Sequence, residues 1–229
     1  MNKAFSFVTA ALVACVTLVS AQAQEVQGDA KAGAKKNAMC IGCHGIIGYQ
    51  ASFPEVHKVP MISGQGAKYI VSALNAYKKG DRKHPTMRGI AASLSDQDMA
   101  DLAAFYSTNG VVEGTAALAT APAATGAAAA LVAKGNCMSC HGNSFSAPID
   151  PSYPRIAGQH GDYVFVALKA YKSDGSSAQV GRSSAQVGRS NAIMGGIAKQ
   201  FSNAELKELA AYVGSLPSDL KTVPESRFR

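Results

Sequence analysis

Six side chains in this sequence have the types and spacing that make chemistry. Cys40, Cys43 and His44 stand together in "MCIGCHG", and Cys137, Cys140 and His141 in "NCMSCHG". On one helical turn, residues at i, i+3 and i+4 project to the same side. Two thiols so placed can add to two vinyl groups along one edge of a porphyrin, while the adjacent imidazole reaches the iron. Cys-x-x-Cys-His is the attachment signature of c-type haem for that reason. A zinc ribbon expects its second cysteine pair about 15 to 20 residues on, whereas Cys43 and Cys137 are 94 residues apart. A thioredoxin-like dithiol needs a βαβ setting, and no strand pattern surrounds either cluster. The reading is two covalently attached haem c groups. Gly45 and Gly142, next to each histidine, are read as leaving room for the chain to pass the ring.

An iron ligated by histidine on one side needs a decision on the other. Methionine closes the site and raises its potential, whereas an open position admits substrate. The candidates are Met87 in "HPTMRGI" and Met194 in "NAIMGGI", each read as lying in a loop before the last helix of its half. They follow their histidines by 43 and 53 residues. Met39 and Met138 are too close to their clusters to cross a ring, Met99 falls on a helix core face, and Met61 aligns with Arg155. His84 is the competing ligand, although Asn191 occupies its matched position. His57 and His160, both unmatched, read as surface residues.

The elements that must position these groups occur twice. "SGQGAKYIVSALNAYKKG" (63–80) aligns with "AGQHGDYVFVALKAYKSD" (157–174), and "MRGIAASLSDQDMADLAAFY" (87–106) with "MGGIAKQFSNAELKELAAYV" (194–213). This is a tandem duplication of one domain. Each half predicts three main helices: one entering the cluster, one over the "AYK" segment, and a last one. In the second helix Tyr69, Ile70, Ala73, Leu74 and Tyr77 form a stripe. Ser95 with Asp98, and Ser202 with Glu205, carry the capping pattern of a helix start. Met99, Leu102, Ala103 and Tyr106 in one half, and Leu206, Leu209 and Val213 in the other, mark the buried face of the last helix. Its small residues, such as Ala103, Ala104, Ala210 and Ala211, permit close helix approach. The fold class is all-α, two tandem cytochrome c-like domains at 24–115 and 127–229, with 116–126 as linker. A repeated heptad, "SSAQVGR" at 176–182 and again at 183–189, lengthens the second half and is read as a tolerated surface loop.

Residues 1–23 read as an export signal: "MNK", then the apolar run "AFSFVTAALVACVTLVS", then "AQA" ending at Ala23. A 17-residue run is short of the roughly 20 residues of a spanning helix. The run continues past Cys15 to Val19, which argues against a lipid-attachment site there. Cys15 leaves with the signal, so every mature cysteine belongs to a cluster and none remains for a structural disulfide. The formal charge of +7 is scattered rather than massed, which excludes a nucleic-acid partner and suits a mildly basic surface. Lys78, Lys79 and Lys83 are candidates for guiding acidic partners.

These motifs in combination resemble the dihaem cytochrome c4 family: two CxxCH clusters, a "P-x-I-x-G-Q" segment, an "AYK" helix, a Met-containing segment and a final "LSDQDMADLAAFY" helix. The resemblance implies two domains packed face to face about a pseudo-twofold axis. It implies His–Met ligation by His44 with Met87 and by His141 with Met194. It further implies a periplasmic carrier of single electrons among redox proteins, such as a quinol-oxidising complex and a terminal oxidase, with peripheral membrane association in some members. The alternative is a dihaem peroxidase-like oxidoreductase with one open haem, but no His, Glu or Arg cluster beside either motif supplies its acid–base groups. A haem sensor would want an output domain.

Overall fold

A computed structural model describes residues 26–111, 119–173 and 188–224. The presumed export signal, residues 116–118 of the expected linker and all but the last two residues of the repeated heptads lie outside the described residues. The first copy runs α1 (Ala30–Lys36), α2 (Ala38–His44), β1 (Gln50–Ala51), β2 (His57–Lys58), α3 (Ala67–Lys79), β3 (Arg82–Lys83), α4 (Pro85–Ala92) and α5 (Asp96–Thr108). The second runs α6 (Gly126–Lys134), α7 (Met138–His141), α8 (Gly161–Lys172), β4 (Gly188–Arg189), α9 (Ala192–Ala198) and α10 (Asn203–Ser215). The architecture is mostly helical and tandem, as the repeat predicts. The three expected helices of each half become five, because the cluster and the methionine each have a short helix of their own.

The last helices, α5 and α10, organise the two cores. Both begin with the predicted capping box: the Ser95 and Ser202 hydroxyls accept from the backbone N–H groups of Asp98 and Glu205, whose carboxylates accept in return. Behind the caps, Met99, Leu102, Ala103 and Tyr106 are buried beside Ile41 and Ile70. Leu206 and Leu209 are buried with Leu131, Phe145 and Phe201. Burying each such large side chain contributes about 1.5–3 kcal/mol. α1 and α3 pack against α5, and α6 and α8 against α10.

The close approach of α1 to α5 depends on Gly33. A Cβ at Gly33 would stand 2.1 Å from the Asp101 carbonyl oxygen. At that crossing the buried Asp101 carboxylate accepts from Lys36 Nζ (2.7 Å), the Asp29 N–H (2.8 Å) and Gln97 Nε2 (2.8 Å). Lys36 and these donors hold its carboxyl below the usual carboxylate range. A depressed pKa contributes stability above the unfolded value of about 3.9, and that stability is lost as pH falls through the native value. Asp101→Asn is therefore expected to lower the melting temperature at pH 7 and to flatten the loss of stability below about pH 4, measured by thermal melts from pH 7 to 3.

The two copies meet through reciprocal contacts. Gln65 Nε2 donates to the Arg155 carbonyl and Gln65 Oε1 accepts from the Arg155 N–H, both at 2.9 Å. Gln159 treats Met61 in the same way, at 2.9 and 3.0 Å. The repeated Gly-Gln is thus a docking motif in which each glutamine imitates a strand partner for the other copy's backbone. The clasps use backbone at positions 61 and 155, and Arg155 adds a side-chain contact that Met61 cannot make, its Nη1 donating to the Gly64 carbonyl at 2.9 Å. β3 pairs antiparallel with β4, Arg82 opposite Arg189. Past α10, the Lys221 N–H donates to the Ser63 carbonyl at 3.0 Å, returning the tail to the first copy.

His57, expected at the surface, is buried in this junction. Its ring lies 5.9 Å from that of Tyr163 and 6.2 Å from that of His84, and its Nδ1 is 2.8 Å from the Glu55 carbonyl oxygen. A residue unmatched in the repeat can still be internal where two copies touch.

Candidate haem sites

Both clusters are helical, as their spacing requires. Cys40, Cys43 and His44 lie on α2, while Cys137 caps α7 and Cys140 and His141 lie on it. All four sulfurs are unbridged. Burial pushes the Cys40 thiol up to about 11, against a lowering contact with the Tyr106 hydroxyl, and raises Cys137 likewise. Such thiols are neutral, unlike the thiolates of a metal site or a reactive dithiol.

The histidines are oriented in the same manner in both copies. His44 Nδ1 is 2.8 Å from the Pro60 carbonyl oxygen, and His141 Nδ1 is 3.1 Å from that of Pro154. A carbonyl only accepts, so Nδ1 carries the proton and Nε2 keeps its lone pair for a metal. Burial lowers both imidazoles, keeping them neutral. The orienting prolines are the first residues of the two P-x-I-x-G-Q segments, each four residues ahead of the glycine of Gly-Gln, although the sequence did not disclose this role for them. Among the described residues, no group of three or more His, Cys, Asp or Glu converges on a bare metal ion. Two thiols and an imidazole spread along a turn suit the edge and centre of a macrocycle, so the donor set fits haem and not zinc.

Gly142 follows His141 with φ +76°, and a Cβ there would lie 2.0 Å from the Ala147 carbonyl oxygen. Its role is to let the chain fold back on itself. Gly45 serves α2 similarly: its Cβ would meet the Ile41 carbonyl oxygen at 2.8 Å.

Met87 and Met194 are not in loops. Each is the third residue of a short helix, α4 or α9, and half-buried. The Met87 N–H donates to His84 Nδ1 at 3.4 Å, and the Met194 N–H to Asn191 Oδ1 at 2.8 Å. His84 and Asn191 are thus equivalent helix caps, which explains why the repeat tolerates one for the other. Burial and then the neighbouring His57, Arg189, His44 and Arg82 hold His84 down at about 4. Pro85 at the first helical position completes the start of α4.

Lys78 is exposed, and its Nζ also donates to the Leu94 carbonyl at 2.6 Å, just as Lys172 donates to that of Phe201 at 2.6 Å. These matched lysines tie α3 and α8 to the turns after α4 and α9.

The cytochrome c family profile matches the chain twice, over residues 30–109 and 125–217. Cytochrome c4 of Azotobacter vinelandii is 31% identical over 232 residues, which span 94% of this chain and all of the relative. The chain belongs to the dihaem cytochrome c4 family. The solved structure of reduced recombinant cytochrome c4 from Pseudomonas stutzeri, 27% identical, superposes with a TM-score of 0.55 over 83% of this chain and all of that one. A thiosulfate dehydrogenase electron acceptor from Stutzerimonas stutzeri is 30% identical over 87% of this chain and 90% of its own. This member of the cytochrome c4 family carries two covalent haem c groups, and Cys40 with Cys43 and Cys137 with Cys140 fit the two attachment motifs. It is an electron carrier rather than an enzyme, and the peroxidase-like alternative falls away.

Proposed function

We propose that the chain is exported to the periplasm and there carries single electrons from a quinol-oxidising complex towards a terminal oxidase. In this reading residues 1–23 are removed, and domains 24–115 and 127–229 are joined by 116–126. One iron is held between His44 and Met87, the other between His141 and Met194. The observation that carries the reading is the matched pair of donors: in both copies the imidazole is fixed by a proline carbonyl and the methionine by a capped helix. Bound haem supplies one-electron redox chemistry, and saturation by His and Met keeps substrate out. The chain's own work is to anchor, orient and bury. Among the described residues no helix is long and apolar enough to cross a membrane, and attachment in this reading is at most peripheral.

The likeness to a protein named for accepting electrons from thiosulfate dehydrogenase favours a second electron source, an enzyme that oxidises thiosulfate. Stopped-flow mixing of the purified oxidised protein with each donor system, followed by membranes bearing a terminal oxidase, separates the two. Rapid reduction by the quinol-oxidising complex and reoxidation by the oxidase are expected. Reduction by the thiosulfate enzyme alone would replace the first donor with the second. Carbon monoxide uptake by the reduced native protein would overturn saturation at both irons.

A further inference from the structure

Each copy pins the joint behind its methionine helix with an ammonium group from another helix. α4 ends at Ala92 and Ser95 caps α5, which leaves Ser93 and Leu94 as the joint between them. Lys78, in the last turn of α3, donates from Nζ to the Leu94 carbonyl at 2.6 Å. In the second copy α9 ends at Ala198, Ser202 caps α10, and Lys172 of α8 donates to the Phe201 carbonyl at 2.6 Å. Leu94 and Phe201 are buried, 7% and 2% exposed, and each immediately precedes its capping serine. The same tie is thus made twice, at the same place in the fold.

The joints matter because of what they carry. α4 and α9 have 8 and 7 residues, too few for a helix to stand on its own propensity, and they bear Met87 and Met194. A thioether leaves an iron only if its helix swings or frays, and the swing turns about the joint to the buried last helix. A carbonyl of that joint held from α3 or α8 resists the rotation. Lys78 is exposed, so its bond competes with water and its net worth is that of an ordinary hydrogen bond.

The two joints are not held alike. Lys134 of α6 donates from Nζ to the Gln200 carbonyl at 2.9 Å, and the same ammonium lies 4.7 Å from the Phe201 ring centre. Asn37 stands at the matched position of the first copy, three residues before its cluster, and is buried where α1 meets α2. The second joint therefore has an ammonium where the first has an amide. We propose that Lys78 and Lys172 are positioning residues for the axial methionines, latching α4 and α9 over their irons, and that the first latch is the weaker because it lacks a counterpart of Lys134. This rests on the His–Met ligation proposed above. An intruding ligand binds only the fraction of molecules whose methionine is away, so its apparent affinity reads the latch.

The test uses the full-length ferric holoprotein with imidazole as the probe, following the haem-methyl proton resonances of the two centres separately. Lys78→Gln should raise imidazole affinity at the first haem about fivefold, the equivalent of one ordinary hydrogen bond, and leave the second haem unchanged. Lys172→Gln alone should give a smaller rise at the second haem, and Lys172→Gln with Lys134→Gln the full one. Amide hydrogens of α4 should exchange faster in Lys78→Gln, a readout that does not pass through the haem. Lys78→Arg, which keeps a charged donor, should restore most of the wild-type behaviour. Two controls should stay near wild type: Lys79→Gln removes the neighbouring exposed charge, and Asp101→Asn weakens the first domain at another crossing. An unchanged affinity in Lys78→Gln, or an equal rise in either control, would overturn the proposal. A wild-type protein without the sulfur-to-iron absorption band at either haem would instead refute the methionine ligation beneath it.

Discussion

Met194→Ala is expected to leave two haems on the chain but open one of them. The ferrous protein should then take up carbon monoxide at a single centre, and that centre's potential should fall by a few tenths of a volt, within the span of about 0.8 V that axial ligands command. The other haem should be spectroscopically unchanged, and Met87→Ala should give the mirror result. The substitution is well suited to isolate ligation, because the Asn191 cap of α9 acts on the backbone N–H at position 194 and survives it. Alanine is also the best helix former. His84→Asn provides the control. If His84 acts only as a cap, asparagine, which already does that work at 191, preserves the native spectrum. Carbon monoxide inertness in both methionine variants would remove Met87 and Met194 from the iron.

Cys137→Ala combined with Cys140→Ala is expected to halve the covalent haem. Mass spectrometry after denaturation should find one haem per chain, and the first domain should retain its own couple. The structural cost should fall on the second core, because Cys137 packs against the cluster that holds Leu131, Phe145, Phe201 and Leu206. Loss of the group covering that cluster leaves these side chains facing a void, and cavities of this kind cost about 24 cal/mol per Å³. A low-temperature unfolding step confined to the second domain should appear in calorimetry. Two covalent haems in the double variant would refute attachment at this cluster.

What could be read directly from the residues was most of what is local and repeated. The CxxCH turns, the two capping boxes and the buried faces of α5 and α10 depend on spacings of a few residues, and the duplication offered each motif for checking against its twin. Pairings between distant segments were not legible. Gln65 and Gln159 stood out only as repeated letters, since their partners are backbone groups 90 and 98 residues away. His57 looked superficial because part of its environment, the Tyr163 ring, is supplied by the other domain. The methionine helices were missed although a cap residue followed by Pro85 announced one of them.

The reciprocal glutamine clasps have a consequence for how such a chain can evolve. They are the contacts of a symmetric homodimer, written twice into one polypeptide. In a homodimer every substitution is enforced at both ends of the axis. Once the halves are tethered, each end mutates alone while the tether keeps the local concentration high. Position 162 already uses that licence: its aspartate accepts the Lys58 N–H at 3.0 Å, while the equivalent position 68 is lysine. A fused pair can thereby acquire polarity, with an entrance and an exit for charge, that two identical subunits are forbidden.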